Sequence, residues 1–313
     1  MYAIVSLRRA ARGFAWTLAV GLVGGCLLAP PPSVAVEPER IGHIRPDTDI
    51  DARDDYFLRL LELALDSTVH DFGAYELVRA PVEMTQGRAI ASMLEGRYVD
   101  VVWTMTNRTR EGTMRPVRVP LMRGLMGVRI PVMAADGASG LDGVDDGEAL
   151  GEHVAGQGHD WPDVAVLRAN GLPVDTASNY ESVFRMLAHG RVDYVPRSVT
   201  EIWAERMLYR AHGLAVARRP LLVYHAPAYF FVAPDNLRLS LRLEVGLRRA
   251  LEDGSLAQLF ASHPTTRAAV ALLEDYRGPV IRLHNPELPE FTPVGVPDLW
   301  YSPVFGSGTR LGD

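Results

Sequence analysis

The chain has 313 residues, 48% of them hydrophobic, and a net charge of −6, so it can bury one large core or two smaller ones and is poorly suited to nucleic acid. All 32 basic residues are arginine, which excludes a Walker A loop, a Schiff-base lysine and any catalytic lysine. Cys26 is the only cysteine and lies in the leader, so neither a disulfide nor thiol chemistry is expected of the mature body.

Residues 1–35 read as a secretory signal peptide. Arg8, Arg9 and Arg12 precede the apolar run Phe14 to Ala29, followed by Pro30 to Pro32 and the small-residue site Ser33-Val34-Ala35. The run falls short of the ~20 residues a spanning helix needs, so cleavage is favoured over a transmembrane anchor. Val23-Gly24-Gly25-Cys26 is also a loose lipobox, which leaves lipid attachment through Cys26 as an alternative. Losing the leader removes three positive charges and no negative ones, making the body more acidic still.

In the mature body, Arg40 to Arg45 reads as a first strand. Asp49, Asp51, Asp54 and Asp55 form an acidic entrance to a helix whose apolar face is Phe57, Leu60, Leu61, Ala64 and Leu65. Tyr75 to Arg79 is a second strand. Thr85 caps a helix carrying Ala89, Ile90, Met93 and Leu94, and Gly96 stands where a left-handed cap is wanted. The buried strand Val99 to Trp103 then empties into Thr104, Thr106 and Arg110.

Extended segments bent at Pro116, Pro120, Gly124 and Gly127 lead into a strand over Gly127 to Met133, and Ala134 to Gly151 reads as a solvated loop. A short strand near His153 to Ala155 precedes Gly156-Gln157-Gly158-His159-Asp160-Trp161-Pro162, a glycine loop with Asp160 as N-cap of a helix ending at Asn170-Gly171. Free N–H groups there suit an anion, although structural turns use the same glycines. After a strand over Leu172 to Val174, Ser178-x-x-Glu181 makes a capping box. The next strand, Val192 to Val195, runs into Arg197 and Ser198, and Val199 to Ala211 reads as a helix with Ile202, Trp203 and Met207 inward. Leu221 to Val232 is the strongest strand run, Leu237 to Leu247 is assigned to helix despite its alternation, and a proline-rich tail follows His284.

Met93-Leu94, Gly96 and Val99-Asp100 are echoed by Met186-Leu187, Gly190 and Val192-Asp193. The echo predicts two similar α/β lobes. Hydroxyls and an arginine follow the strand of each copy, and small ligands in open α/β sheets bind outside the carboxyl ends of strands. A cleft between the lobes is the expected site.

In order and spacing, LEGRYVDVVWTMT, the T-x-x-x-R loop Thr106 to Arg110, GQGHDW and GRVDYV resemble the type II periplasmic solute-binding proteins, in particular the polar-amino-acid branch called solute-binding protein family 3, over residues 38–275. The resemblance implies two α/β lobes joined by two hinge strands; the chain's own elements put lobe 1 over 36–130 plus 226–285 and lobe 2 over 131–225, and the prolines of the tail make 286–313 a C-terminal strap. Together with the leader and the acidic charge, it gives the expectation of a periplasmic, monomeric protein without cofactor, metal or nucleic-acid partner, serving an ABC permease or a membrane sensor.

Carried over residue by residue, Arg110 grips a ligand carboxylate. Thr104 or Thr106 and the Gln157, Gly158 and His159 loop add hydrogen bonds, while Trp103, Trp161, Arg197 and Ser198 complete the expected site. The family's acidic residue after the lobe 2 strand is replaced here by Arg197, and its usual Phe-Ser-x-Pro-Tyr stretch is replaced by VRVPLMRGLMG. Two arginines facing one cleft predict a small anion with two acidic groups; Arg197 turning back to Glu201 or Asp160 predicts otherwise. The rival functions are a lyase-like enzyme on the same fold and a ligand-free interaction module using Trp300, Tyr301 and Phe305. Catalytic motifs are lacking, and His153, His159 and Asp160 have no recognisable metal spacing.

Overall fold

The computed structural model describes residues 37–44, 53–136 and 140–306. The leader with Cys26, and Asp49 and Asp51, lie outside the described residues, and no helix among the described residues is long and apolar enough to cross a membrane.

The chain runs β1 (Glu39–His43), α1 (Arg53–Asp66), α2 (Val69–Phe72), β2 (Tyr75–Arg79), α3 (Gln86–Leu94), β3 (Val101–Met105), α4 (Arg108–Thr113) and β4 (Arg115–Val117), all in lobe 1. It crosses to lobe 2 with β5 (Val128–Ala134), continuing through α5 (Gly147–Leu150), β6 (Ala155–Gly158), α6 (Asp163–Ala169), β7 (Val174–Ala177), α7 (Tyr180–Ala188), β8 (Val195–Ser198), α8 (Arg206–Ala211), β9 (Leu214–Val216) and β10 (Leu221–Val223). It returns through β11 (Ala228–Val232), α9 (Leu237–Glu252), α10 (Ser255–Ser262) and α11 (Pro264–Asp275), then adds β12 (Val280–Arg282) and α12 (Ser302–Phe305).

Two five-stranded sheets result. The first has the order β2-β1-β3-β11-β4. The second has the order β12-β10-β5-β8, with β9 on β5, and a bridge from Ala155 to Tyr194 brings the β6-β7 pair alongside β8. The repeated strands β3 and β8 therefore lie in different sheets. Hinge strands β5 and β10 pair antiparallel, Val128 opposite Val223. The single run Leu221 to Val232 divides into β10 and β11 and, late in the sequence, carries the backbone back from lobe 2 to lobe 1. One boundary is corrected: β12 pairs with β10, so the segment 226–285 is not confined to lobe 1 and the chain crosses a third time.

The apolar face of α1 is wholly buried, Leu60, Leu61, Ala64 and Leu65 at 0% exposure, each large side chain worth roughly 1.5–3 kcal/mol of transfer free energy. Against it packs α9, whose alternation of Leu and Arg misleads: Leu239, Leu243 and Leu247 fall on one buried helical stripe, and Asn236 caps the N-terminus by accepting from the Leu239 N–H.

Several local expectations are corrected. Gly156 to Gly158 of the glycine stretch belong to strand β6, and only His159 to Pro162 form the turn. Helix α6 takes Pro162 at its N-cap rather than Asp160. Asn179, not Ser178, caps α7, accepting from the Ser182 N–H at 2.9 Å. Residues 199–205 are turns, Trp203 is 43% exposed rather than inward, and only Ile202 is buried as predicted; the Met207 side chain lies outside the described residues. The stretch 134–151 is not a plain solvated loop, since Leu141, Val144 and Leu150 anchor it in a small core.

Candidate functional site

A cleft of about 730 Å³ lies between the carboxyl ends of β3 and β8. Lobe 1 supplies Trp103, Thr104 and Arg110 from the predicted set, and adds Asp54, Phe57 and Gln86. Trp103 is a floor residue: its indole N–H donates to Asp54 at 2.9 Å and its ring stacks on Phe57 at 5.8 Å. Arg110 is held by α4, a one-and-a-half-turn helix capped by Asn107, whose side chain accepts from the Arg110 N–H at 2.8 Å. Its guanidinium donates to Thr104 Oγ1 at 2.8 Å, to the Met105 carbonyl at 2.7 Å and to Gln86 Oε1 at 2.9 Å. These acceptors are neutral. Burial depresses the Arg110 pKa, and Asp160 and Asp163 across the cleft pull it back upward.

Lobe 2 supplies Gly158, His159, Trp161 and Arg197 as predicted. Arg197 is not free to grip an anion. Its Nε and one terminal nitrogen donate to Glu205 at 3.0 and 2.5 Å, and Glu201 lies at 3.2 Å. Burial alone works against the charge on Arg197, but Glu201 and Glu205 outweigh it and hold the pKa well above its ordinary value. Arg129 is the second buried cation of the cleft lining, paired with Asp163 at 2.8 Å and Glu201 at 3.2 Å, with the Tyr224 hydroxyl bridging to Asp163. Two guanidinium groups are thus matched by three carboxylates.

That arrangement removes the ground for a doubly acidic ligand. The cleft lining carries six carboxylates, Asp54, Asp160, Asp163, Glu181, Glu201 and Glu205, against Arg110, Arg129 and Arg197. A dianion entering it would meet net repulsion.

Three predicted residues do not line the cleft. Thr106 is buried and donates to Glu111 at 2.7 Å. Ser198 is buried at the hinge, donating to the Leu125 carbonyl at 3.0 Å. Gln157 is 1% exposed in β6, flanked by Gly156 and Gly158 whose own positions face the opposite side of the strand. The residues missed were Asp54, Arg129, Asp163, Tyr180 and Glu205. Glu201 and Glu205 stand four apart after Arg197, a spacing visible in the sequence; Arg129 and Asp163 offered no signal, because their pairing spans two elements.

Two α/β lobes, hinge strands and a cleft at the carboxyl ends of β3 and β8 define the fold of type II periplasmic solute-binding proteins. Solved structures with this fold include an ancestral arginine-binding protein bound to arginine, 16% identical with TM-score 0.53, covering 74% of this chain and 99% of that one. The periplasmic VFT2 domain of Bordetella pertussis BvgS is 18% identical with TM-score 0.54, covering 72% and 92%. A probable amino-acid ABC transporter extracellular-binding protein from Bacillus subtilis is 14% identical with TM-score 0.52, covering 74% and 100%. The sequence matches no protein-family model and no curated protein.

Proposed function

We propose that this chain is an exported solute-binding protein, acting in the periplasm, that closes its lobes over a small polar solute for delivery to a permease or report to a membrane sensor. The observation that carries the reading is Arg110: a half-buried guanidinium at the cleft, oriented by three neutral acceptors and facing Asp160 and Asp163 from the other lobe. Such a group is matched by one ligand carboxylate. The surplus of carboxylates on lobe 2 then favours a compensating positive group on the same solute, with Asp160 and Glu181 nearest to solvent. A zwitterion is favoured over the dianion that two free arginines would have called for. Binding, rather than catalysis, is supported by the saturation of the buried acids by arginines and tyrosines, which leaves them poor proton shuttles.

Calorimetry and thermal-shift measurements on the mature body test this against zwitterionic amino acids, monocarboxylates, dicarboxylates and phosphorylated metabolites. A zwitterion should raise the unfolding midpoint, by about 2.7 kcal/mol of apparent stability at a hundredfold excess over Kd. Arg110→Gln should weaken it by about 10–100-fold. Tightest binding by a dicarboxylate, or an unchanged Kd in Arg110→Gln, would overturn the reading.

A further inference from the structure

We infer that Trp161, Tyr180, Glu201 and Glu205 form a guanidinium-binding cage on lobe 2, filled by the chain's own Arg197, and that this internal occupant decides which solutes the cleft admits. The inference concerns the same cleft and rests on reading it as a solute site.

Arg197 leaves β8 and lies within reach of two rings from different elements. Its guanidinium carbon is 4.9 Å from the Trp161 ring centre, on the β6-α6 turn, and 5.5 Å from that of Tyr180, at the start of α7. Glu205 meets it with both oxygens, at 3.0 and 2.5 Å, and Glu201 adds a third acidic contact at 3.2 Å. Aromatic faces with a two-oxygen carboxylate are what a planar, weakly hydrated guanidinium binds best. The acids are themselves held in place. The Tyr209 hydroxyl donates to Glu205, and the Ser198 N–H donates to Glu201 at 2.8 Å. All five residues line the cleft; Arg197, Glu201 and Glu205 are buried while Trp161 and Tyr180 are half-buried, so the two rings face the solute and the ion cluster behind them is sealed.

Two consequences follow from the covalent occupant. A solute with a guanidinium side chain finds this end of the cleft taken, so the admitted solute is short, with its positive group meeting the rim acids rather than the cage. Emptying the cage also takes from Glu205 its arginine partner and leaves Arg129 to serve Asp163 and Glu201, which is destabilising.

The test uses the mature protein, Arg197→Ala and Arg197→Lys, with methylguanidinium as probe and equal concentrations of NaCl and tetramethylammonium chloride as controls. Arg197→Ala should unfold at a lower temperature than the parent. Millimolar methylguanidinium should restore its midpoint saturably and shift tryptophan fluorescence through Trp161. The controls should not do so, and the parent should not respond. Arg197→Lys, which keeps the charge but loses the fork, should lie between them. If Arg197→Ala does not fold alone, refolding yield with and without methylguanidinium is read instead. A response no larger than that to NaCl, no recovery of refolding, or an equal response in the parent would overturn the inference. Solute binding measured on the parent keeps the two readings apart: loss of the Arg110 reading leaves cage rescue untouched, and failure of cage rescue leaves solute binding by Arg110 standing.

Discussion

Asp100 and Asp193 perform the same task in the two lobes. The Asp100 carboxylate accepts the Gly42 N–H at 2.7 Å while its own N–H donates to the Gly42 carbonyl at 2.8 Å. Asp193 accepts the Val154 N–H at 2.7 Å and donates its N–H to the Val154 carbonyl at 2.9 Å. Each follows a helix closed by a left-handed glycine, Gly96 at φ 65° and Gly190 at φ 64°. Each carboxylate ties the start of its own strand segment to the neighbouring one. Replacing either by Ala should cost about 1–3 kcal/mol by stranding a half-buried N–H, and the two costs should add, since they share no partner. Asn, which still offers an oxygen, should cost less. Urea denaturation measures all of these, and a neutral Ala variant would contradict the shared role.

Gly158 sets the position of Trp161. A methyl group added there would lie 2.5 Å from the indole nitrogen, so Gly158→Ala must push the ring off the cleft wall. Stability should fall by about 1–3 kcal/mol, tryptophan emission should shift, and the Kd for the solute should rise. A variant with parental emission and affinity would show that the ring is not held there.

The C-terminal strap braces the crossings between lobes. The Arg123 carbonyl, on the first crossing, accepts the Tyr301 N–H at 2.8 Å, and His225, on the second, packs against Trp300 and Phe305 at 4.9 and 5.0 Å. Arg282 on the third reaches the Val304 carbonyl at 3.3 Å. Trp300 and Tyr301 are buried on the chain's own surface, which answers the idea that these aromatics await a partner. Trp300→Ala should cost about 3–5 kcal/mol. Gly124→Ala should be comparably damaging, because at φ 86° its methyl group would stand 2.6 Å from the Trp300 ring. Midpoints in guanidinium chloride test both; a shift of neither would mean the strap is not part of the cooperative fold.

Acid should weaken the fold through His43 and His225. Burial lowers both pKa values, with Arg79 adding to it for His43 and Arg282 for His225. Their folded values lie below the unfolded value of about 6.5. The unfolded chain therefore takes up more protons as pH falls below that value, and stability that is full above about 6.5 is lost toward the folded pKa values. The unfolding midpoint should be lower at pH 5.5 than at pH 7.5. In a His43→Gln, His225→Gln double variant the difference should shrink; an undiminished slope would assign it to other groups.

Much of the architecture is legible in the sequence because it is written in local, short-range terms. Helix α1 announces its apolar stripe, β2 was bounded at Tyr75 and Arg79 on both ends, and the Met-Leu, Gly, Val-Asp echo marks two lobes because each copy needs the same helix stop and the same strand-tying carboxylate. Thr104, Trp161 and Gly158 fall at strand ends or in the turn beside a strand, and Arg110 in the short helix just after β3, where a cleft between α/β lobes must lie, so motif and topology agree on them.

What only the tertiary structure decided is the state of each charge. Arg197 carries the same one-letter symbol whether it awaits an anion or is closed between Trp161, Tyr180, Glu201 and Glu205; the acids follow it at four and eight residues, but the rings arrive from separate elements that folding alone brings together. The same holds for Arg129 with Asp163, and for β12, whose pairing with β10 joins residues far apart in the chain. Periodicity records which face of an element meets apolar surface; it carries no record of which opposite charge is waiting there, and for a buried ion that partner determines whether it binds a ligand or holds the protein together.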